Sequence, residues 1–424
     1  MGASRILNLA RGMHPGRDSP RFDGYRSSLT SRLHAFVNPA RTASTGHRLT
    51  QHPLVRALVV VVLLFIFLMG VNGLGDGFKS LGGHLLDSFF TATENPFVGL
   101  MVGILATSLV QSSSLTTSLI VVMVAAPENA LPLANAIPMV MGANIGTTVT
   151  NSLVALAHMG RREEFRRAFA VATCHDFFNL MAVVVLLPLE LLTGYLRRAA
   201  TWLSSLVTGL GGVQYESPIK GALKAALAPI KAVIGALIDS PRVEGIVLVV
   251  VSAILIFFAL TMLVRVLRAA METRVEVVIS QVFGRNAVVA IIVGMVVTAT
   301  VQSSSITTSL LVPLAGAGMI TLEQAFPVTI GANIGTTVTA FMASLAVTGP
   351  NAGIGVTIAV VHLLFNLSGM TLFYPIRAVR NLPLGAARWL ATVATRSRPL
   401  AVTYVIAQFY VVPGLFAVLD RLFK

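Results

Sequence analysis

The chain has 424 residues, 55% of them hydrophobic and 11% charged, with a formal charge of +14. An ordinary soluble domain carries roughly 25% charged residues, so a soluble globular reading is excluded and most of the chain is expected in lipid. The basic residues lie at the N-terminus and between apolar runs, where the positive-inside rule places them, which argues against nucleic-acid binding, and the lone Cys174 excludes an internal disulfide or a cysteine-rich metal site.

In chain order, residues 1–53 read as a disordered, basic cytoplasmic tail, since the first 56 residues hold nine arginines and two acids, Asp18 and Asp23. The same composition also suits a transit peptide. A first span over about 54–72, within a segment 54–79, leads outward. The apolar stretch 96–126 is interrupted by Gln111 and a run of hydroxyls and reads as a re-entrant hairpin. Spans at about 132–157 and 168–193 follow, separated by Arg161, Arg162, Arg166 and Arg167 on the inside. Residues 196–243 are expected to be an extracytoplasmic loop. The span 244–264 returns to a basic linker reaching 279, with Arg265, Arg268 and Arg274, and Arg285 beyond it. A second interrupted hairpin, 287–318, precedes spans at 322–347 and 352–375. Residues 377–424 then read as a cytoplasmic loop, with Arg377, Arg380, Arg388, Arg396 and Arg398, and a final span at 400–420. The expectation is seven full spans and two hairpins in a multi-pass protein of the cell (inner) membrane, N-terminus cytoplasmic.

Three blocks occur twice in the same order. Gln111 to Leu119 reads QSSSLTTSL and Gln302 to Leu310 reads QSSSITTSL; GANIGTTVT recurs unchanged at Gly142–Thr150 and Gly331–Thr339; His175-Asp-Phe-Phe-Asn179 is answered by His362-Leu-Leu-Phe-Asn366. Duplication at this spacing defines a transport repeat over 80–195 and another over 280–376. Charge placement gives the two opposite topology. The predicted fold is therefore an all-α membrane protein of two inverted repeats, each with an interrupted helix carrying QSSS, a design that puts sites near the bilayer midplane.

Broken helices persist at membrane depth only where protein or water satisfies the backbone. Ser112, Ser113, Ser114 and Ser303, Ser304, Ser305, with the Thr-Thr-Ser that follows each, are candidate oxyanion ligands. Gln111, Gln302, Asn144, Thr148, Asn333 and Thr337 offer hard oxygens to a small alkali cation, and Thr147 and Thr336 lie beside them. Against this stands the use of Ser, Thr and glycines four apart as helix-contact residues. Asp176 is a carboxylate in one copy only, with Leu363 at its counterpart, and is either an extra cation ligand or a partner for an arginine at the inner mouth. His175 and His362 are proton shuttles or hydrogen-bonded crosslinks. Glu190 is expected at the interface. No acid pair, Gly-x-Ser-x-Gly, His-Glu-x-x-His or Walker segment is present, so an enzyme is not expected.

The QSSS pair, the two GANIGTT blocks and the run from Ile137 to Tyr195, with FRRAFAVATCHDFFN and VLLPLELLTGYL, resemble the type II sodium–phosphate cotransporters over about 54–420. The resemblance implies sodium-driven phosphate uptake, with phosphate on Ser112–Ser114 and Ser303–Ser305. It places sodium near Gln111, Gln302, Asn144, Thr148 and Asp176, with Asn333 and Thr337 as their repeat partners. It also implies that Asp176 supports an additional sodium and electrogenic transport. The implied partners are phosphate, sodium and the bilayer, with no cofactor; the oligomeric state is left open. The segment 196–243 holds neither cysteine nor glycosylation sequon and the chain ends soon after its last span, which fits a minimal, bacterial-type member. Another oxyanion, an anion channel and an intramembrane hydrolase are the alternatives.

Overall fold

The computed structural model describes residues 53–81, 91, 93–126, 130–209, 219–282, 286–347 and 350–422. The expected tail, 1–53, lies almost entirely outside them, as do Arg285 and the side chains of Arg265, Arg268 and Arg274. Among the described residues every regular element is a helix and no strand occurs. From Leu58 onward they form one compact unit.

The first long apolar helix, α1, is Pro53–Leu81. Then come α2 (Pro96–Val110), α3 (Ser113–Val124), α4 (Leu133–Gly146), α5 (Val149–Leu156) and the 32-residue α6 (Arg162–Thr193). Next are α7 (Tyr195–Gly209), α8 (Ile219–Leu237) and α9 (Pro241–Val282). The second copy follows as α10 (Ala287–Val301), α11 (Ser304–Ser309), α12 (Leu311–Gly316), α13 (Leu322–Ala346) and α14 (Ala352–Phe373). The chain closes with α15 (Arg377–Arg396), α16 (Arg398–Ile406), a π-helical turn at Ala407–Val411 and α17 (Val412–Leu422).

Six of these stretches are long and apolar enough to cross hydrocarbon: Leu54–Leu74, Arg162–Thr193, Pro241–Ala259, Leu322–Leu345, Ala352–Phe373 and Arg398–Asp420. The seventh expected span, 132–157, is divided into α4 and α5. The Asn144 carbonyl, which a continuing helix would give to Thr148 N–H, accepts instead from Asn179 Nδ2 at 2.8 Å, and Thr148 N–H turns to Ile145 O. In copy two the equivalent bond, Asn366 Nδ2 to Asn333 O, is longer at 3.2 Å, and α13 runs on unbroken.

Two stretches between spans carry helices of their own. The described part of 196–243 is largely helix, and Glu190, near the C-terminal end of α6, is buried in protein and accepts from Leu196 N–H and Arg197 N–H at 2.6 and 3.2 Å, capping α7. The stretch 377–396, expected as a loop, is the amphipathic α15, whose apolar face packs on α6.

Both QSSS segments are local stop-and-start signals. Asn95 and Asn286 cap α2 and α10 by accepting from Phe97 and Val288 N–H. Each helix ends on its motif glutamine in the left-handed conformation, Gln111 at φ 55° and Gln302 at φ 57°, the only non-glycine residues with positive φ among those described. The first serine is extended and caps the next helix: Ser112 Oγ accepts from Leu115 N–H and Ser303 Oγ from Ile306 N–H. A left-handed non-glycine residue costs about 1–2 kcal/mol, so the same exception at both matched positions marks a conformation the fold imposes.

Glycines let each first half-helix lie backbone to backbone against the GANIGTT helix. A methyl group at Gly142 would overlap the Leu100 carbonyl, and one at Gly331 the Ile291 carbonyl. Gly103 and Gly294 answer from the opposite helix, against Met139 and Val328. One hydrophobic core spans both copies, with Phe178 of copy one edge-on to Phe326 and Phe373 of copy two at 5.8 and 6.2 Å. Gly142→Ala and Gly331→Ala are each expected to cost about 1–3 kcal/mol through overpacking and to lower the unfolding temperature in detergent. Gly221→Ala, at an exposed site with nothing within 4 Å of the added carbon, should leave it unchanged or higher.

Candidate functional site

The two QSSS breaks meet. Ser114 Oγ of copy one donates to the Gln302 carbonyl of copy two at 3.3 Å. Thr339, the last residue of the second GANIGTTVT block, donates to Gln302 Oε1 at 2.6 Å and lies 3.4 Å from Ser114 Oγ. Thr308 Oγ1 lies 2.9 Å from Asn151 Oδ1, a second crossing between the copies. Ser113, Ser114 and Ser304 are buried, while Ser112, Ser303 and Ser305 are half-buried. No QSSS serine bonds a histidine or a carboxylate among the described residues, so the arrangement holds no general base for a serine nucleophile.

A second layer of buried amides and imidazoles ties the copies together. His175 Nε2 lies 2.8 Å from Asn333 Oδ1, and Asn333 Nδ2 donates to Asn179 Oδ1 at 2.7 Å. The mirror contact joins His362 Nε2 to Asn144 Oδ1 at 3.3 Å. An amide oxygen only accepts, so both imidazoles donate through Nε2, and each histidine is a crosslink between copies. Asn144 and Asn333, expected as cation ligands, thus spend part of their side-chain oxygen capacity on histidine, and their hydrogen bonds run to this layer and to their own helices.

Thr148 and Thr337 each donate to the carbonyl three residues back, Ile145 and Ile334, at 2.7 Å. Thr147 and Thr336 bond Ala143 and Ala332. With the proton directed at the backbone, each hydroxyl turns lone pairs outward, the orientation that a cation or a hydrogen-bond donor requires.

Asp176 is 1% exposed and has no arginine or lysine partner among the described residues. Its Oδ2 accepts from Tyr404 OH at 3.1 Å and lies 3.5 Å from Ser152 Oγ, while Oδ1 has no partner. The alternative of an arginine pair at the inner mouth is therefore not what this geometry contains. Tyr404 comes from the last long helix, which also donates Tyr410 OH to Ser108 O at 3.2 Å beside the copy-one break. Tyr404, Ser152, Asn151 and Thr339 were not among the expected site residues. Thr339 closes an exactly duplicated block and Tyr404 is a hydroxyl in an apolar run, and those are the signals that would have found them.

The copies are not equivalent in conformation. In copy two, Gln302 is buried, Thr339 holds its side chain, and Thr298 Oγ1 donates to Thr307 Oγ1 at 2.8 Å. In copy one, Gln111 is exposed, and Thr150 Oγ1 and Thr107 Oγ1, the matching atoms, are buried without a partner. Identical residues therefore make a closed corner in one copy and an open one in the other.

The family described as Na+/Pi-cotransporter matches residues 66–214 and 255–383, one segment for each copy of the QSSS and GANIGTT pair. The chain is 32% identical over 445 residues to "Sodium-dependent phosphate transport protein 2B" of Homo sapiens, covering 84% of this chain and 64% of that protein. It is 33% identical over 444 residues to "Sodium-dependent phosphate transport protein 2A" of Rattus norvegicus, covering 88% and 68%. The chain thus spans somewhat under two thirds of the length of the 2B relatives. No solved structure matches. With both repeats inside the matched segments and the paired motifs intact, the chain belongs to the Na+/Pi-cotransporter family.

Proposed function

We propose that this chain is a sodium-dependent symporter of inorganic phosphate, working by alternating access around one central site to which both copies contribute. The observation that carries this reading is the contact of Ser114 with Gln302 and Thr339, which joins the two duplicated breaks. Phosphate is assigned to Ser112, Ser113 and Ser114 and to Ser303, Ser304 and Ser305, and sodium to Gln111, Gln302, Asn144, Thr148, Asp176, Asn333 and Thr337. The N–H groups of Ser113 and Ser114 start α3 and have no partner within the helix, which suits an oxyanion.

Charge explains why the two solutes would travel together. Among the described residues no lysine or arginine is buried, so a phosphate at the buried serines is expected to meet hydroxyls and amides and no buried protein cation. Burying an unpaired anion is strongly unfavourable, and a sodium ion held by neighbouring oxygens offsets that cost. Binding of each then favours the other by the same factor. Asp176, buried with one unpartnered oxygen, supplies a further negative charge for one more sodium, which makes the cycle electrogenic.

The breaks at Gln111 and Gln302 are read as tips of re-entrant hairpins, and the repeats 80–195 and 280–376 as inverted. Basic residues at Arg161–Arg167 and Arg377–Arg398 put those segments on the cytoplasmic side of the cell membrane. The relatives' printed names favour phosphate over another oxyanion, and the direct bond from Ser114 of one break to Gln302 of the other favours a carrier over an anion channel.

Radiolabelled phosphate uptake into proteoliposomes is expected to require an inward sodium gradient, with sulfate competing poorly. Equal uptake with potassium in place of sodium, or unitary currents without sodium coupling, would contradict the reading. Asp176→Gly should retain part of the uptake and lose the accompanying current. An unchanged current per phosphate would remove Asp176 from the sodium site.

A further inference from the structure

A cavity of about 570 Å³ lies apart from the QSSS contact, where the start of α6, the corner between α12 and α13, and α15 come together. Arg166, Arg167 and Arg388 line it, together with Thr321, Thr392 and Glu323. Three guanidinium groups thus face one lining carboxylate. Arg388 bonds Glu323, and both side chains are about half-exposed. Arg166 bonds Glu163 at 2.8 Å. Arg167 donates through Nε and Nη2 to the Gly316 carbonyl at 3.1 and 2.7 Å, closing the end of α12. A guanidinium carries five N–H donors, so each of the three keeps donors for a further acceptor; Arg166 and Arg388 share their charge with Glu163 and Glu323, whereas Arg167 bonds only neutral carbonyls. The N-terminus of α13, capped by Thr321, opens on the same space and adds partial positive charge.

We propose that this cavity is a binding site for a phosphoryl anion, carried either by an anionic lipid headgroup or by soluble phosphate. Planar guanidinium forks match phosphate oxygens, and basic pockets between membrane helices hold lipid headgroups. The volume is that of a site for a headgroup-sized molecule. The outer face of α15 favours the lipid source: Leu382 and Trp389, seven residues apart on one side of the helix, are 56% and 65% exposed next to Arg388. An amphipathic helix with an exposed tryptophan is suited to the membrane interface. This site shares no residue with the QSSS pocket and does not depend on the transport reading.

Thermal unfolding of the full chain in detergent tests it, with phosphatidylglycerol, phosphatidylcholine or inorganic phosphate added in sodium-free buffer. Phosphatidylglycerol is expected to raise the unfolding temperature and phosphatidylcholine to have little effect. In Arg166→Gln/Arg388→Gln, half-saturation should need about tenfold more phosphatidylglycerol, the order expected when charge-assisted hydrogen bonds are lost. Inorganic phosphate stabilising the unmodified chain but not the double variant would identify the soluble anion as the source. If the double variant does not fold, Glu323→Gln decides the matter: removing the competing carboxylate should tighten binding severalfold, and unchanged or weaker binding would overturn the proposal. Equal responses of the unmodified chain and the double variant, or no response to any anion, would overturn it as well.

Discussion

A backbone that leaves its helix inside a membrane protein must find new partners, because hydrocarbon offers none. Here the two interruptions fall on matched glutamines, each forced into the left-handed conformation and each followed by a capping serine. The carbonyl freed at Gln302 is taken by Ser114, a residue of the other interruption. Copy two therefore draws on copy one at the point where its own helix is broken. The glycine contacts beneath, Gly103 and Gly142 in one copy and Gly294 and Gly331 in the other, bring each broken helix close enough to its neighbour for that meeting.

From this constraint the chemistry follows. A pocket built from serine, threonine and glutamine can surround an oxyanion with donors, yet it contributes no positive charge of its own. Sodium fills that role in the proposed cycle, and coupling becomes a consequence of electrostatics. The amide and histidine layer alongside, with His175 on Asn333 and His362 on Asn144, holds the copies in register. Asp176 breaks the equivalence in charge, since Leu363 answers it. The open corner at Gln111 and closed corner at Gln302 break it in conformation.

Much of this was legible because duplication is visible in letters. The repeats, the two breaks and six of the seven spans could be read from apolar length and from paired motifs. Charge placement marks 196–243 and 377–396 only as connections between spans, and their helices show once basic and apolar residues separate onto two faces, as in α7 and α15. The divided span at Thr147–Thr148 was hidden because GANIGTTVT is identical in both copies and only one of them breaks. Tyr404 and Ser152 were missed since contacts across 228 and 24 residues leave no local pattern around Asp176.

Identical sequences in unlike conformations are what an exchange of roles between the copies requires. Thr339 holds Gln302 in this structure, whereas its twin Thr150 holds nothing. Initial rates of sodium-driven phosphate uptake for Thr339→Val and Thr150→Val, compared at equal membrane expression, test the exchange most directly. If each threonine closes its own glutamine corner in one half of the cycle, both variants lose rate to a similar extent, although Thr150 has no partner here. Loss in Thr339→Val with an unimpaired Thr150→Val would show that the asymmetry is fixed and would contradict transport by exchange between the repeats.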